Sequence, residues 1–107
     1  MDVWIVIDRY DHSEVSTSVH MTAKGALIQA YHSLLEVYDG LCPDWDGENE
    51  FKVEYPTAYE FVEKNKENIE DAKKSELDKY FGDLTCFVGE WTERRCDISI
   101  NLNRLRP

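Results

Sequence analysis

The chain has 107 residues, and its 22 Asp and Glu against 12 Lys and Arg give a formal net charge of -10 at neutral pH. Hydrophobic residues make up 42% of the sequence and aromatic residues 12%, which is enough to build a core and argues against wholesale disorder. A charge this negative repels phosphate groups and anionic lipid. The composition therefore argues against direct binding to nucleic acid or to a membrane surface.

The length predicts a single domain over residues 1–107. No apolar run approaches the roughly 18 residues of a membrane span, and the N-terminus lacks the basic flank and cleavage site of a signal peptide. The chain has three cysteines, Cys42, Cys86 and Cys96, and their spacing does not match a metal-binding motif. An odd number without such a motif indicates free thiols in a reducing compartment. We therefore expect a cytoplasmic protein.

The first elements of the chain are predicted to form a β-hairpin. Residues 3–7 (VWIVI) are uninterrupted β-branched or aromatic residues, typical of a central strand buried on both faces. Residues 15–21 then alternate with a period of two, as a second strand does. This alternation predicts that His20 points outward, together with its neighbours on the same face. The two predicted faces carry Val15, Thr17, Val19 and Met21 on one side and Ser16, Ser18 and His20 on the other.

Two helices are predicted in the middle of the chain. Apolar residues recur every three or four positions over residues 23–38, behind Thr22 as a candidate N-cap. Residues 41–55 lose this periodicity and predict a structured acidic loop, ending in a short strand at 51–55. The second predicted helix begins at residue 57 with the capping box Thr57-x-x-Glu60 and ends at Gly82. Its polar residues 63–68 predict a bend or a break.

The C-terminal part is predicted to form a second hairpin. Residues 84–91 (LTCFVGEW) are the first strand and residues 96–103 (CDISINLN) the second, with inward alternation in the latter. The predicted fold is therefore α+β: a four-stranded antiparallel sheet from two hairpins, in ββααββ order, with two helices packed on one face. This arrangement predicts an apolar patch on the outer face of the sheet, which a second copy of the chain could cover. Its members are Trp4, Val6, Leu84, Cys86 and Val88.

Candidate sites for chemistry are weak. No histidine pair has ligand spacing, no serine or cysteine lies in a nucleophile motif, and the five glycines are scattered singly. An EF-hand is excluded because the glycine of the acidic run at residues 44–50 falls at the fourth position of the loop instead of the sixth. We therefore predict no enzyme, no cofactor and no metal. An irregular calcium site in that run, or acid/base chemistry at Tyr10-Asp11-His12, is the alternative.

The negative charge is concentrated in one region. Residues 36–78 hold 14 carboxylates against 5 lysines, a net charge of -9. We predict that this surface imitates the phosphates of a nucleic acid and binds a protein with a basic surface. An ordinary solvated helix is the alternative, because Glu60 with Lys64, Glu63 with Lys66, and Glu70 with Lys73 or Lys74 have the spacing of ion pairs. The predicted contact residues are Asp44, Trp45, Asp46, Glu48 and Glu50, with Glu63, Glu67 and Glu70 behind them.

Three segments mark the layout of this compact acidic chain: VWIVIDRY at residues 3–10, TAKGALIQAY at 22–31 and the predicted hairpin EWTERRCDISINL at 90–102. This layout resembles that of small acidic accessory proteins encoded by phages and mobile elements. Some of these proteins are anti-CRISPR or anti-restriction proteins that mimic DNA. The resemblance implies a non-enzymatic, protein-binding inhibitor or adaptor. A structural homodimer through the outer face of the sheet, or a small calcium-binding or enzymatic domain, is the alternative function.

Overall fold

The computed structural model describes residues 2–10, 14–41, 46–92 and 96–104, with side chains described at most of these positions. It is an α+β fold with three strands and four α-helices in the described part. In chain order these are β1 (Asp2–Tyr10), β2 (Glu14–His20), α1 (Ala23–Leu41), α2 (Asp46–Glu54), α3 (Pro56–Asn65), a 3₁₀ turn (Ile69–Asp71), α4 (Lys74–Trp91) and β3 (Cys96–Arg104).

The sheet is antiparallel and has the strand order β2-β1-β3. β1 is central, as predicted, because its residues pair with both neighbours: Ile7 lies opposite Thr17 of β2 and opposite Ser99 of β3. The predicted first hairpin is therefore confirmed. The predicted four-stranded sheet in ββααββ order is wrong, since the described part contains one hairpin and a single C-terminal strand that returns to β1.

Residues 84–91 form the second half of α4 and are not a strand. Their composition fits a strand, but the apolar positions Leu77, Leu84 and Val88 follow a helical spacing that extends back across Gly82. All three side chains are buried in the core. Gly82, predicted to end a helix, lies inside α4.

Residues 41–55 are also more regular than the predicted loop and strand, because α2 occupies Asp46–Glu54. Asp46 and Glu48 lie in the first turn of α2, where acidic residues interact favourably with the helix dipole. The long second helix breaks where its polar residues predicted a break, and α3 ends at Asn65. The predicted capping box is not formed: α3 begins at Pro56 without a side-chain cap, and proline suits this first position.

The core lies between the helices and one face of the sheet. α1 begins as predicted, with the Thr22 hydroxyl accepting a hydrogen bond from the Gly25 N–H at 3.0 Å. The buried Tyr31 hydroxyl of α1 donates to the Leu77 carbonyl of α4 at 2.7 Å, which ties the two helices together. Burial, with the nearby carboxylates Asp78 and Asp83, raises the pKa of Tyr31.

The two faces of the sheet differ from the predicted arrangement. Asp8 accepts a hydrogen bond from Ser33 of α1 at 2.7 Å, so the even-numbered side of β1, including Val6, faces the helices. The predicted outer patch of Trp4, Val6, Leu84, Cys86 and Val88 is therefore wrong: Val6, Leu84 and Val88 are buried, Trp4 packs against the core, and Cys86 lies exposed on α4.

The outer face of the sheet, opposite the helices, carries Ile5 and Ile7 of β1. The alternate residues of β2 on this face are Val15, Thr17 and Val19, and both valines are exposed. The sequence predicted that His20 points outward, but the register places it on the same face as Trp4. The apolar side of β2 therefore faces solvent.

Gly82 provides a direct test of the corrected helix. A Cβ built there meets no heavy atom within 4 Å, so Gly82→Ala is expected to raise the free energy of unfolding by about 0.5–1 kcal/mol through helix propensity. Urea denaturation measures the change. Gly25→Ala of α1 is the control. Its Cβ would lie 3.0 Å from the Thr22 hydroxyl that caps the helix, so this substitution should not give the same gain in stability. A loss of stability in Gly82→Ala would contradict the assignment of α4.

Candidate protein-binding surface

Helix α2 is held on the body of the protein by one aromatic side chain. Phe51 is fully buried, and its ring stacks on that of Phe87 of α4 with the centroids 4.7 Å apart. The Phe51 ring also packs edge-to-face against the rings of Tyr38 of α1 and Tyr59 of α3, with centroid distances of 5.5 Å and 6.1 Å. Aromatic pairs in such geometries add to the free energy of burial. The anchor therefore fixes which side of α2 faces solvent.

The solvent side of α2 combines negative charge with an apolar group. Glu50, Val53 and Glu54 follow a spacing of three and four residues and are all exposed, Val53 at 79%. We call these three residues the α2 face. Among the described residues, no ion pair includes Glu50 or Glu54. The Lys52 ammonium instead lies 5.7 Å from the centre of the Tyr59 ring, toward α3.

The structure places part of the predicted contact set on this helix. Asp44 and Trp45 lie outside the described residues. Asp46 and Glu48 belong to α2 by their backbone, and their side chains are not described. Glu50 is exposed, as a contact residue must be.

The carboxylates predicted to lie behind this set do not form a continuous stripe. Because α3 ends at Asn65, helical spacing does not extend from Glu63 to Glu67 and Glu70. Glu63 is half-buried, accepts a hydrogen bond from Tyr38 at 3.1 Å and pairs with Lys66 at 3.2 Å. It therefore connects α3 to α1.

Glu70 and Glu67 have different surroundings. Glu70 lies 3.0 Å from the His32 ring of α1. Glu67 is exposed, and no ion pair in the described part includes it. Of these three predicted contact residues, Glu67 is the one that belongs to no ion pair among the described residues.

The ion pairs expected to cancel the charge are fewer than the sequence suggested. Glu63 pairs with Lys66 as expected, but Lys74 pairs with Asp78 at 2.8 Å instead of with Glu70. Within the described residues, neither Glu60 nor Lys64 belongs to an ion pair. Exposed pairs contribute little to stability, so the uncancelled charge matters more for interactions with other molecules.

The side chains of the acid/base alternative lie outside the described part of the chain. His12 and Asp11 lie outside the described residues, and the His20 ring is within 2.8 Å of the Ser18 hydroxyl. No group of three or more His, Cys, Asp or Glu side chains in the described ranges could hold a metal ion. The acidic run at residues 44–50 falls largely on side chains that are not described, so the calcium alternative stays a prediction.

A shallow cavity of about 490 Å³ lies between the end of α4 and the start of β3. Burial, with Asp8 and Asp97 nearby, raises the pKa of the Cys96 thiol and disfavours the reactive thiolate. Both effects act against nucleophilic reactivity of Cys96. Its lining residues are Thr85, Cys86, Gly89, Glu90, Cys96 and Asp97.

Val53 is not among the contact residues predicted from the sequence, because residues 41–55 were expected to form a loop and a short strand. The signal was present: Phe51, Tyr55, Ala58 and Val62 recur at steps of three and four residues, which indicates helical structure before residue 56. With Phe51 on the buried side of a helix, Val53 falls on the other side.

The fold and this surface define the chain as an α+β protein with a three-stranded antiparallel sheet and an acidic helical surface. Comparison with protein-family models, with curated protein sequences and with solved structures finds no match. In the described part, none of the helices combines the length and the apolar character needed to cross a membrane.

Proposed function

We propose that this chain is a non-enzymatic, protein-binding inhibitor or adaptor that docks its acidic helical surface on a basic partner. The observation that carries the proposal is the α2 face, where an exposed valine lies beside two carboxylates on a helix anchored by Phe51. A partner that binds nucleic acid has the matching basic groove, so the acidic surface acts as a DNA mimic.

The composition of α2 suits such a contact. Asp46, Glu48, Glu50 and Glu54 against the single Lys52 give this helix a net charge of -3. Opposite charges on two surfaces accelerate association, whereas a central apolar group shielded from water contributes to the lifetime of the complex. The α2 face offers both features within two turns of one helix.

A phage anti-defence role, of the anti-CRISPR type, stays a prediction. The terminal hairpin that formed part of the resemblance is wrong, since residues 84–91 are helical. The proposed inhibitor or adaptor function rests on the α2 face and does not depend on this origin.

Charge reversal tests the proposed surface. Glu50→Lys combined with Glu54→Lys is expected to abolish most capture of basic proteins from a lysate of the source cells, because both carboxylates face solvent on α2. Competition with double-stranded DNA is expected to release the wild-type complex, as is raising the salt from about 0.15 M to about 1 M, which shortens the screening length from about 8 Å to about 3 Å. Affinity capture followed by mass spectrometry and surface plasmon resonance on the captured protein measures both effects.

The matched control keeps the same net charge. Glu60→Lys combined with Glu76→Lys reverses two exposed carboxylates on α3 and α4, and the partner should still bind. Val53→Ala should lower the affinity while leaving the salt dependence unchanged, because it removes no charge. Equal losses in both double variants, or capture that persists at high salt, would refute docking through the α2 face.

A further inference from the structure

In the described part of the chain, β2 is an edge strand of the sheet and lacks several of the features that protect such strands from pairing with another chain. It is terminal in the sheet, and its register with β1 runs without a bulge from Trp4 opposite His20 to Tyr10 opposite Glu14. Residues 15–19 contain neither a charged residue nor a proline, which are two of the features that commonly protect an edge strand. Val15 and Val19 are 57% and 63% exposed. This edge is therefore a template for another strand.

The sequence of this edge is symmetric about its centre. Residues 15–19 read Val-Ser-Thr-Ser-Val in both directions around Thr17. If two copies pair antiparallel about a two-fold axis at Thr17, each residue meets one of its own kind: Val15 faces Val19 of the second copy, and Thr17 faces Thr17. The flanking residues Glu14 and His20 then lie opposite each other. A two-fold interface must be self-complementary, and this pairing meets that condition with side chains of matching size and polarity opposite each other.

We propose that two copies of the chain associate through β2 and form a continuous six-stranded antiparallel sheet. Cross-strand pairs of β-branched residues and of threonines stabilise such a sheet. On the outer face, the existing neighbours Ile5 and Val19 would be continued by Val15 of the second copy. Pairing also satisfies the backbone groups along the free edge of β2.

The opposite edge of the sheet is a weaker candidate. On β3 the residues of the outer face are the polar Asp97, Ser99 and Asn101, while Ile98 is buried against the helices. Pairing through β3 would therefore join no exposed apolar side chains on the outer face. This difference selects β2 as the edge, and the like-with-like pairing of residues 15–19 favours a second copy as its occupant.

The salt dependence separates this association from the proposed binding function. Each copy carries a net charge of -10, so the two copies repel each other and added salt should strengthen the dimer. Salt should have the opposite effect on docking to a basic partner. The α2 face and β2 are also separate surfaces, so either proposal can fail while the other holds.

The test uses two positions that flank the same residue. Ile7 of β1 lies opposite Thr17 on β2 and opposite Ser99 on β3, so Thr17→Lys and Ser99→Lys put the same charge at matching positions on the two edges. Analytical ultracentrifugation should show the wild type at twice the 12.5 kDa of one chain. Thr17→Lys should raise the dimer dissociation constant about tenfold or more, because two like charges meet at the axis. Ser99→Lys should leave it unchanged.

A charge exchange distinguishes repulsion at the axis from misfolding. Thr17→Asp alone should also weaken the dimer, whereas an equimolar mixture of Thr17→Lys and Thr17→Asp should restore it, because lysine then faces aspartate. Circular dichroism should show the same fold in all variants. A wild type that stays monomeric at every concentration and salt level, weakening by Ser99→Lys instead, or no recovery in the mixture would overturn pairing through β2.

Discussion

Replacing Phe51 with alanine is expected to lower the free energy of unfolding by about 3–5 kcal/mol. The side chain is fully buried between α1, α3 and α4, and its ring stacks on Phe87 at a centroid distance of 4.7 Å. Truncation removes these contacts and leaves a cavity that the surrounding helices can fill only in part. Equilibrium unfolding in guanidinium chloride, followed by circular dichroism, measures the loss.

Val53→Ala is the control from the same helix. Val53 is exposed, so this substitution should change the stability by no more than about 0.5 kcal/mol. Similar stabilities for Phe51→Ala and Val53→Ala would contradict the docking of α2. Phe51→Ala should also weaken partner binding without altering any charge, because the anchored helix presents the α2 face.

The elements that the sequence predicted correctly are those in which local pattern and tertiary packing agree. In α1 the apolar positions repeat over the whole helix, and Ala26, Ala30 and Leu34 are buried as their spacing requires. The run of β-branched residues at 3–7 likewise becomes the central strand. In both cases one period dominates a long enough window to decide the structure.

The C-terminal half of α4 shows why a short window fails. Eight residues rich in aromatic and β-branched side chains fit a strand as well as a helix, and Gly82 just before them suggested a boundary. The helical period becomes clear only when the window extends back to Leu77 and includes Leu84 and Val88. Gly82 is tolerated because propensity is a weak term beside the packing of the apolar side.

The charge of the candidate site was predictable, but the surroundings of individual carboxylates were not. Glu50 is exposed, as its polar segment predicted. Glu63 and Glu70 instead contact Tyr38 and His32 of α1, residues distant in sequence that the fold brings close. Such long-range partners depend on how the helices pack, which the periodicity of one segment does not specify.

Val88→Lys is expected to destabilise the protein by about 3–5 kcal/mol, because it places an unpaired charge in the core. Val88 is fully buried on α4, beside other core residues. This loss is a large share of the roughly 5–15 kcal/mol that stabilises an ordinary domain. The variant should therefore be largely unfolded in moderate denaturant, as circular dichroism and proteolysis would show.

Cys86→Lys is the matched control and tests the secondary structure itself. In a strand, residues 86 and 88 share a face and the two lysines would have similar effects. In a helix these positions lie about 200° apart, and the exposed Cys86 should accept lysine within about 0.5 kcal/mol. Equal destabilisation by the two substitutions would favour a strand at residues 84–91, whereas loss of stability in Val88→Lys alone requires the helix.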